Sequence, residues 1–262
     1  MTQTLDPSAL LPAIEKAARE AGATIMRIYA TDFETRTKDD ASPVTEADEA
    51  AETIILPMLN ALTPDVPVVA EEAAAAGDIP DVGDGPFWLV DPLDGTKEFL
   101  KRNGEFTVNI ALIQDREPLV GVVFLPAKGV LYSGIRGEGA WRTLEDGARG
   151  PISVRQPPEE GLTVVGSRSH GDPAEMEAFL KGRPVAENLT AGSSLKFCLV
   201  AEGKADVYPR LGRTMEWDVA AGHAVLSGAG GIVTMTDGTP FRYAKNAIFE
   251  NPHFVAWGGA RP

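Results

Sequence analysis

The chain is predicted to be a mixed α and β protein in two parts, an α+β part over residues 1–155 and an α/β part over 156–262. Three features of the sequence predict this. Apolar residues recur at helical spacing near the N-terminus, with Ile14, Ala17, Ala18, Ala21, Ile25 and Ile28 on one stripe. Between Phe106 and Trp141, apolar runs are broken by Gly and Pro, the punctuation of an antiparallel meander. Beyond residue 161, short apolar runs alternate with helical segments, an α/β pattern.

Taken in order, residues 8–29 form a first amphipathic helix and FETRTK (33–38) an extended edge. A second helix starts at Thr45, where Thr-Glu-Ala-Asp places Asp48 as the reciprocal capping partner, and Pro57 is expected to kink or stop it. VPVVA (66–70) and FWLV (87–90) read as buried strands, and a short helix opens at Thr96 and runs to Arg102. ISVRQPPEEG (152–161) carries two prolines, two acids and a glycine, marking a linker or domain edge. After it come strands at LTVVG and GIVTM, with helices near 173–181, 194–202 and 216–227. There is no internal repeat and no low-complexity tract.

Composition narrows the function. In 262 residues, 44% of them hydrophobic, there is material for a sizeable core. With 24 basic against 38 acidic residues the net charge is −14, which argues against broad nucleic-acid binding. A small anionic substrate stays possible, because a bound metal inverts the field locally. Cys198 is the single cysteine, so an intramolecular disulfide is excluded and a reducing, cytoplasmic setting is expected. The opening MTQTLDPSALLPAIEKAAREAG has no signal-peptide pattern, and no apolar run is long enough for a membrane span. Three histidines, no two of them close in sequence, argue against a zinc site.

The stretch WLVDPLDGTKEFL (88–100) sets Asp91 and Asp94 around a proline and ahead of a glycine. Asp-Pro and Asp-Gly are turn dipeptides, so a plain turn is one reading. The other is a ligand loop. Asp91 follows an apolar strand, Gly95 lets backbone approach a ligand, and Thr96 begins a helix whose free N–H groups suit an anion. Further acids have modest readings of their own. Glu71 and Glu72 end the strand VPVVA and serve as well for a solvated turn, Asp218 near a helix start complements the helix dipole, and Asp48 caps a helix. Should they converge, two carboxylates at about 4 Å repel by roughly 4 kcal/mol at an effective dielectric of about 20. A cluster must then take up protons or bind a cation.

AEE (70–72), DPLDGT (91–96), WDVAAG (217–222) and the upstream KDDASPVTEAD (38–48) resemble, in order and separation, the signatures of the inositol monophosphatase superfamily of magnesium-dependent, lithium-sensitive phosphatases. The likeness covers nearly the whole chain. Within that superfamily, VVGSRSH (164–170), GSSLKFCLVAEGKADVYPRLGRTMEWDVAAGHAV (192–225) and the tail KNAIFENPHFVA are most similar to bacterial 3'(2'),5'-bisphosphate nucleotidases.

The resemblance implies a layered α-β-α-β-α sandwich of the inositol monophosphatase and fructose-1,6-bisphosphatase type. It implies two or three Mg²⁺ held by Glu71, Asp91, the Leu93 carbonyl, Asp94 and Asp218. Thr96 and Asp48, with Glu71, would be the catalytic residues. Substrate would meet Leu93, Asp94, Gly95, Thr96, His170, Ser193, Lys196, Arg210 and Asp218, with the cations Lys196 and Arg210 answering a second phosphate. The implied reaction converts adenosine 3',5'-bisphosphate to AMP and phosphate in sulfur assimilation, with the sulfated nucleotide as a further substrate. Residue by residue, blander roles compete. Lys196 also fits a surface lysine, Arg210 a strand cap, His170 a loop histidine, and Ser193 or Ser194 a helix N-cap. An inositol or broad sugar phosphatase is the rival activity, and a non-catalytic metal-binding module a more distant one. Relatives also suggest a homodimer and a place at the inner membrane surface, though no basic amphipathic helix here supports the latter.

Overall fold

The structure, a computed structural model, describes residues 5–32, 35–37, 43–167 and 173–259. Asp6 accepts from the N–H groups of Ser8 and Ala9, and the chain enters α1 (Pro7–Tyr29). Its buried face is the predicted stripe, with Ile14, Ala17, Ala18, Ala21 and Ile25 fully covered. A two-stranded antiparallel ribbon follows, β1 (Thr35–Thr37) against β2 (Pro43–Thr45). The helix α2 (Glu46–Leu62) starts on the capping interaction foreseen at Thr45 and Asp48. It passes through Pro57 instead of stopping there. Ile55 and Leu59 on either side are buried, and that packing outweighs the missing N–H.

The chain then builds a seven-stranded sheet. In chain order these elements are β3 (Val68–Ala70), α3 (Glu71–Ala75), β4 (Phe87–Asp94), α4 (Thr96–Leu100), β5 (Thr107–Gln114), β6 (Glu117–Leu125), β7 (Val130–Ile135), β8 (Gly139–Thr143) and β9 (Arg149–Ile152). Strand order follows sequence order. All neighbours are antiparallel except β3 and β4, so the predicted meander is present and extends one strand further.

After residues 153–161 come β10 (Leu162–Ser167), α5 (Pro173–Leu180), β11 (Val185–Ala191), α6 (Leu195–Ala201), β12 (Val207–Arg210), α7 (Glu216–Gly228), β13 (Ile232–Met235) and β14 (Phe254–Trp257). The second sheet has the order β11-β10-β12-β14-β13, with β14 antiparallel to both neighbours.

Burial alternation shows how the layers stack. On β4, Trp88 and Val90 join the core shared with α1 and α2, while Phe87 and Leu89 join the core shared with α6 and α7. With both faces covered, FWLV is a continuous apolar run. The helices α6 and α7 lie between the two sheets, and α5 covers the far face of the second, where Met176, Phe179 and Leu180 pack on Val164, Val207, Val255 and Trp257. The layers therefore read α-β-α-β-α. Close approach of α7 to the first sheet depends on Gly134, where a Cβ would sit 2.5 Å from the Val225 Cα. Among the described residues no helix is long and apolar enough to cross a membrane.

Candidate active site

Period-two alternation turns Asp91 to the same side of β4 as Phe87 and Leu89, toward α7. Sequence reasoning placed Asp91 at a strand end. The strand instead runs four residues past FWLV, with its register against β5 breaking between Asp91 and Asp94. That irregularity re-aims the acids. The Leu93 N–H donates to Asp91 Oδ1 at 3.0 Å, so the turn is locked by the aspartate it presents. Gly95 then takes φ +93°, in the left-handed region, and a Cβ there would crowd Ser193 at 3.2 Å.

One cleft of about 670 Å³ is lined by Glu71, Asp91, Asp94 and Asp218, with Thr96, Lys196 and Arg210 also in its lining. The acids arrive from different elements. Glu71 opens α3, whose first N–H groups are fixed from α2, with Glu52 accepting from Glu72 at 2.9 Å and Ala73 at 3.0 Å. Asp218 sits in the first turn of α7 and accepts from the Met215 N–H at 2.8 Å. Asp94 Oδ2 accepts from the Ser194 N–H at 2.7 Å, from Asn109 Nδ2 at 3.2 Å and, at 3.4 Å, from the Thr107 hydroxyl.

Electrostatics confirms that these groups feel one another. Burial, then the charges of Glu71, Asp94 and Asp218, hold the Asp91 carboxyl well above its ordinary range. Burial also raises Asp94, against the pull of Lys196 and the Asn109 and Ser194 donors. Asp218 is pushed up to about 8, by burial first and then by Asp94 and Glu71. Hard carboxylate oxygens that resist ionisation in one another's company fit a divalent cation of the Mg²⁺ kind. Among the described residues no three such side chains close around one point. Mg²⁺ does not require that, since it binds through one or two carboxylates and completes its shell with water and substrate phosphate.

The cleft also carries cations. Lys196 is 5% exposed and Arg210 9%. Lys196 is not a surface lysine. Its ammonium donates to the Ser193 carbonyl at 2.5 Å and lies 5.3 Å from the Tyr208 ring centre. Burial lowers it to about 8, with Arg210 adding to the effect and Asp94 opposing it. Arg210 donates through Nη2 to the Arg213 carbonyl at 2.7 Å, and its buried Nε has no partner among the described residues.

Asp48 is shared between two tasks. Its Oδ2 accepts from the Thr45 N–H at 2.9 Å and hydroxyl at 2.7 Å, while the Thr96 hydroxyl lies 3.3 Å from Oδ1. The capping role and the site role coexist because a carboxylate has two oxygens. Ser193 sits at φ +44° and donates its hydroxyl to the Glu105 carbonyl at 2.8 Å. His170 lies outside the described residues.

Sequence reasoning missed Asn109 and took Ser194 only as a cap. Ser194 donates its hydroxyl to the Asp218 carbonyl at 2.8 Å and its N–H to Asp94, and Asn109 reaches both Asp94 and the Ser194 hydroxyl, the latter at 3.1 Å. This pair ties two of the acids together. The available signal was a lone polar side chain inside the apolar run TVNIALI, and the structure buries it fully.

A layered α-β-α-β-α sandwich with acids of this order at its centre defines a class, and comparison with known proteins agrees: the inositol monophosphatase family model matches residues 6–257, so the chain belongs to that family. Among curated relatives it is 48% identical to the 3'(2'),5'-bisphosphate nucleotidase CysQ of Escherichia coli K12, over 94% of this chain and 98% of that one. The crystal structure of CysQ from Bacteroides thetaiotaomicron superimposes with a TM-score of 0.78 at 39% identity, covering 97% of this chain and 98% of that one. A Thermotoga maritima IMPase follows at 0.77 and 26%, covering 95% and 92%.

Proposed function

We propose that the chain is a Mg²⁺-dependent 3'(2'),5'-bisphosphate nucleotidase that converts adenosine 3',5'-bisphosphate to AMP and phosphate. The observation that carries this reading is the pairing, in one cleft, of four carboxylates with two buried cations, one of which has an N–H with no partner among the described residues. A monophosphate needs only the acids and their ions. A second phosphate, with roughly −1.5 to −2 charge, needs Lys196 and Arg210 as well. The 48% identity to the Escherichia coli K12 3'(2'),5'-bisphosphate nucleotidase supports the same substrate class.

Glu71, Asp91, Asp94, Asp218 and the Leu93 carbonyl would hold two or three Mg²⁺. Bound there, the ions supply Lewis acidity and charge neutralisation to the phosphate being cleaved. The chain's own residues do the rest. Thr96, backed by Asp48, orients an attacking water and accepts its proton into the hydroxyl–carboxylate pair. The backbone N–H groups at Gly95 and Thr96 hold oxygens of the departing phosphate, and the left-handed Gly95 keeps a side chain out of their way. Lys196 and Arg210 fix the phosphate that stays. Asn109 and Ser194 keep Asp94 and Asp218 from swinging apart. Cytoplasmic residence and a role in sulfur assimilation fit this substrate.

The test is phosphate release from adenosine 3',5'-bisphosphate and from inositol 1-phosphate, each with Mg²⁺, with a chelator and with added Li⁺. Mg²⁺-dependent, Li⁺-inhibited release favouring the nucleotide is expected. Release from inositol 1-phosphate alone would overturn the assignment.

A further inference from the structure

Two large hydrophobic side chains are exposed among the described residues, Ile79 at 37% and Ile248 at 59%. Both line the cleft that holds the acids and the buried cations. A scattered exposed isoleucine needs no explanation, but two that share one cleft do.

Neither is exposed through lack of structure around it. Ile248 lies in the tail KNAIFENPHFVA, whose backbone is built around Asn246. That side chain accepts from the Ile248 N–H at 3.2 Å and the Glu250 N–H at 3.1 Å and donates to the Glu250 carbonyl at 2.9 Å. Lys245, one residue before, is anchored to Glu216 at 2.7 Å and to Asn251 at 3.1 Å. Phe249, one residue after Ile248, takes φ +56°, unfavourable for an aromatic residue, and is 3% exposed, packing edge-on to Phe87 at 6.1 Å. The backbone turns so that Phe249 goes into the core and Ile248 goes out to the cleft. Ile79 follows α3, the element that carries Glu71, in a turn closed by Asp78 N–H to the Ala73 carbonyl at 2.8 Å.

The cleft offers two kinds of surface, charge from its acids, Lys196 and Arg210, and exposed apolar side chains at Ile79 and Ile248. A nucleoside bisphosphate presents both kinds as well, with charged phosphates on a ribose and one flat heteroaromatic base. An inositol phosphate, with an oxygen substituent on every ring carbon, has no such base. The geometry points to Ile79 and Ile248 as a lip that receives the nucleobase of the substrate and sets the preference for nucleotides over base-free sugar phosphates. This rests on the nucleotidase reading and deepens it. The two side chains offer no hydrogen-bonding group, so the lip selects for the presence of a base and not for its edge pattern.

The experiment compares adenosine 3',5'-bisphosphate with 1-O-methylribose 3,5-bisphosphate, which has both phosphates and no base, on the full-length protein with Mg²⁺. Wild type, Ile248→Ser and the Ile79→Ser/Ile248→Ser double variant are measured. Lost apolar contact of this size changes selectivity by about tenfold or more. The ratio of kcat/KM for the nucleotide to that for the base-free substrate is expected to fall by about that factor in the double variant, through KM for the nucleotide. A ratio unchanged in both variants, with the nucleotide still hydrolysed, overturns the lip and leaves the nucleotidase reading standing. Wild type that releases no phosphate from the nucleotide overturns that reading, and the lip with it.

Discussion

Asp48→Asn separates folding from chemistry at one carboxylate. Oδ2 of Asp48 accepts from the Thr45 N–H and hydroxyl, at 2.9 and 2.7 Å, and the Thr96 hydroxyl lies 3.3 Å from Oδ1. An asparagine therefore leaves its amide oxygen with Thr45 and turns its NH₂ group to Thr96. The α2 cap survives with neutral hydrogen bonds in place of charge-assisted ones, a loss of about 1 kcal/mol. For a chain of this size that lowers Tm by roughly 2–4 °C. At the other end Thr96 loses its acceptor, and the pair can no longer take a proton from water. Loss of a positioned base lowers turnover by about 10²–10⁴, or ~2.7–5.4 kcal/mol in the barrier. The assay is steady-state phosphate release at saturating Mg²⁺ and nucleotide, with thermal melts alongside. Thr45→Ala is the control, because it removes the cap hydroxyl, costs about 0.5–2 kcal/mol in stability and leaves the Thr96 contact in place. A kcat for Asp48→Asn no lower than that of Thr45→Ala would refute the catalytic assignment.

Asn109→Ala removes donors to Asp94 and Ser194, and Mg²⁺ affinity measured by calorimetry is expected to fall about 10–100-fold; unchanged affinity would leave Asn109 as packing alone. Lys196→Asn is expected to raise KM for adenosine 3',5'-bisphosphate far more than KM for inositol 1-phosphate, and equal losses would contradict a second-phosphate role. His223 is buried beside the positive Lys245 and Arg136, and burial first, then those charges, lowers it to about 3 from an ordinary value near 6.5. The unfolded chain takes that proton below about pH 6.5 while the fold resists it until about 3, so this group's stabilisation is complete above 6.5 and lost as pH falls. At ~1.36 kcal/mol per unit, the loss reaches about 2 kcal/mol at pH 5, and urea midpoints of wild type and His223→Gln should diverge between pH 7 and 5. Parallel midpoints would exclude it.

What the sequence made legible follows from range. The stripe of α1 and the meander β5–β8 are local periodicities, and both stand as read. The course of α2 past Pro57 and of β4 past Val90 depends on what packs against them, which no local pattern states. The place of β14 between β12 and β13 is a long-range pairing. At the site, residue types and spacing pointed to the acids, but the link between Asn109 and Ser194 spans 85 positions and joins two residues with no local reason to meet. The capping reading of Asp48 stands, and Asp218, read as complementing the helix dipole, caps α7 as well. Asp48 accepts from Thr45 through Oδ2 and from Thr96 through Oδ1, and Asp218 accepts from the Met215 N–H through Oδ2.

The most direct test places adenosine 3',5'-bisphosphate and inositol 1-phosphate in one tube with Mg²⁺ and follows both by ³¹P NMR. The account predicts that the nucleotide is consumed first, leaving AMP with its 5'-phosphate intact, and that a chelator stops the reaction. Equal consumption of the two substrates, or loss of the 5'-phosphate, would contradict it.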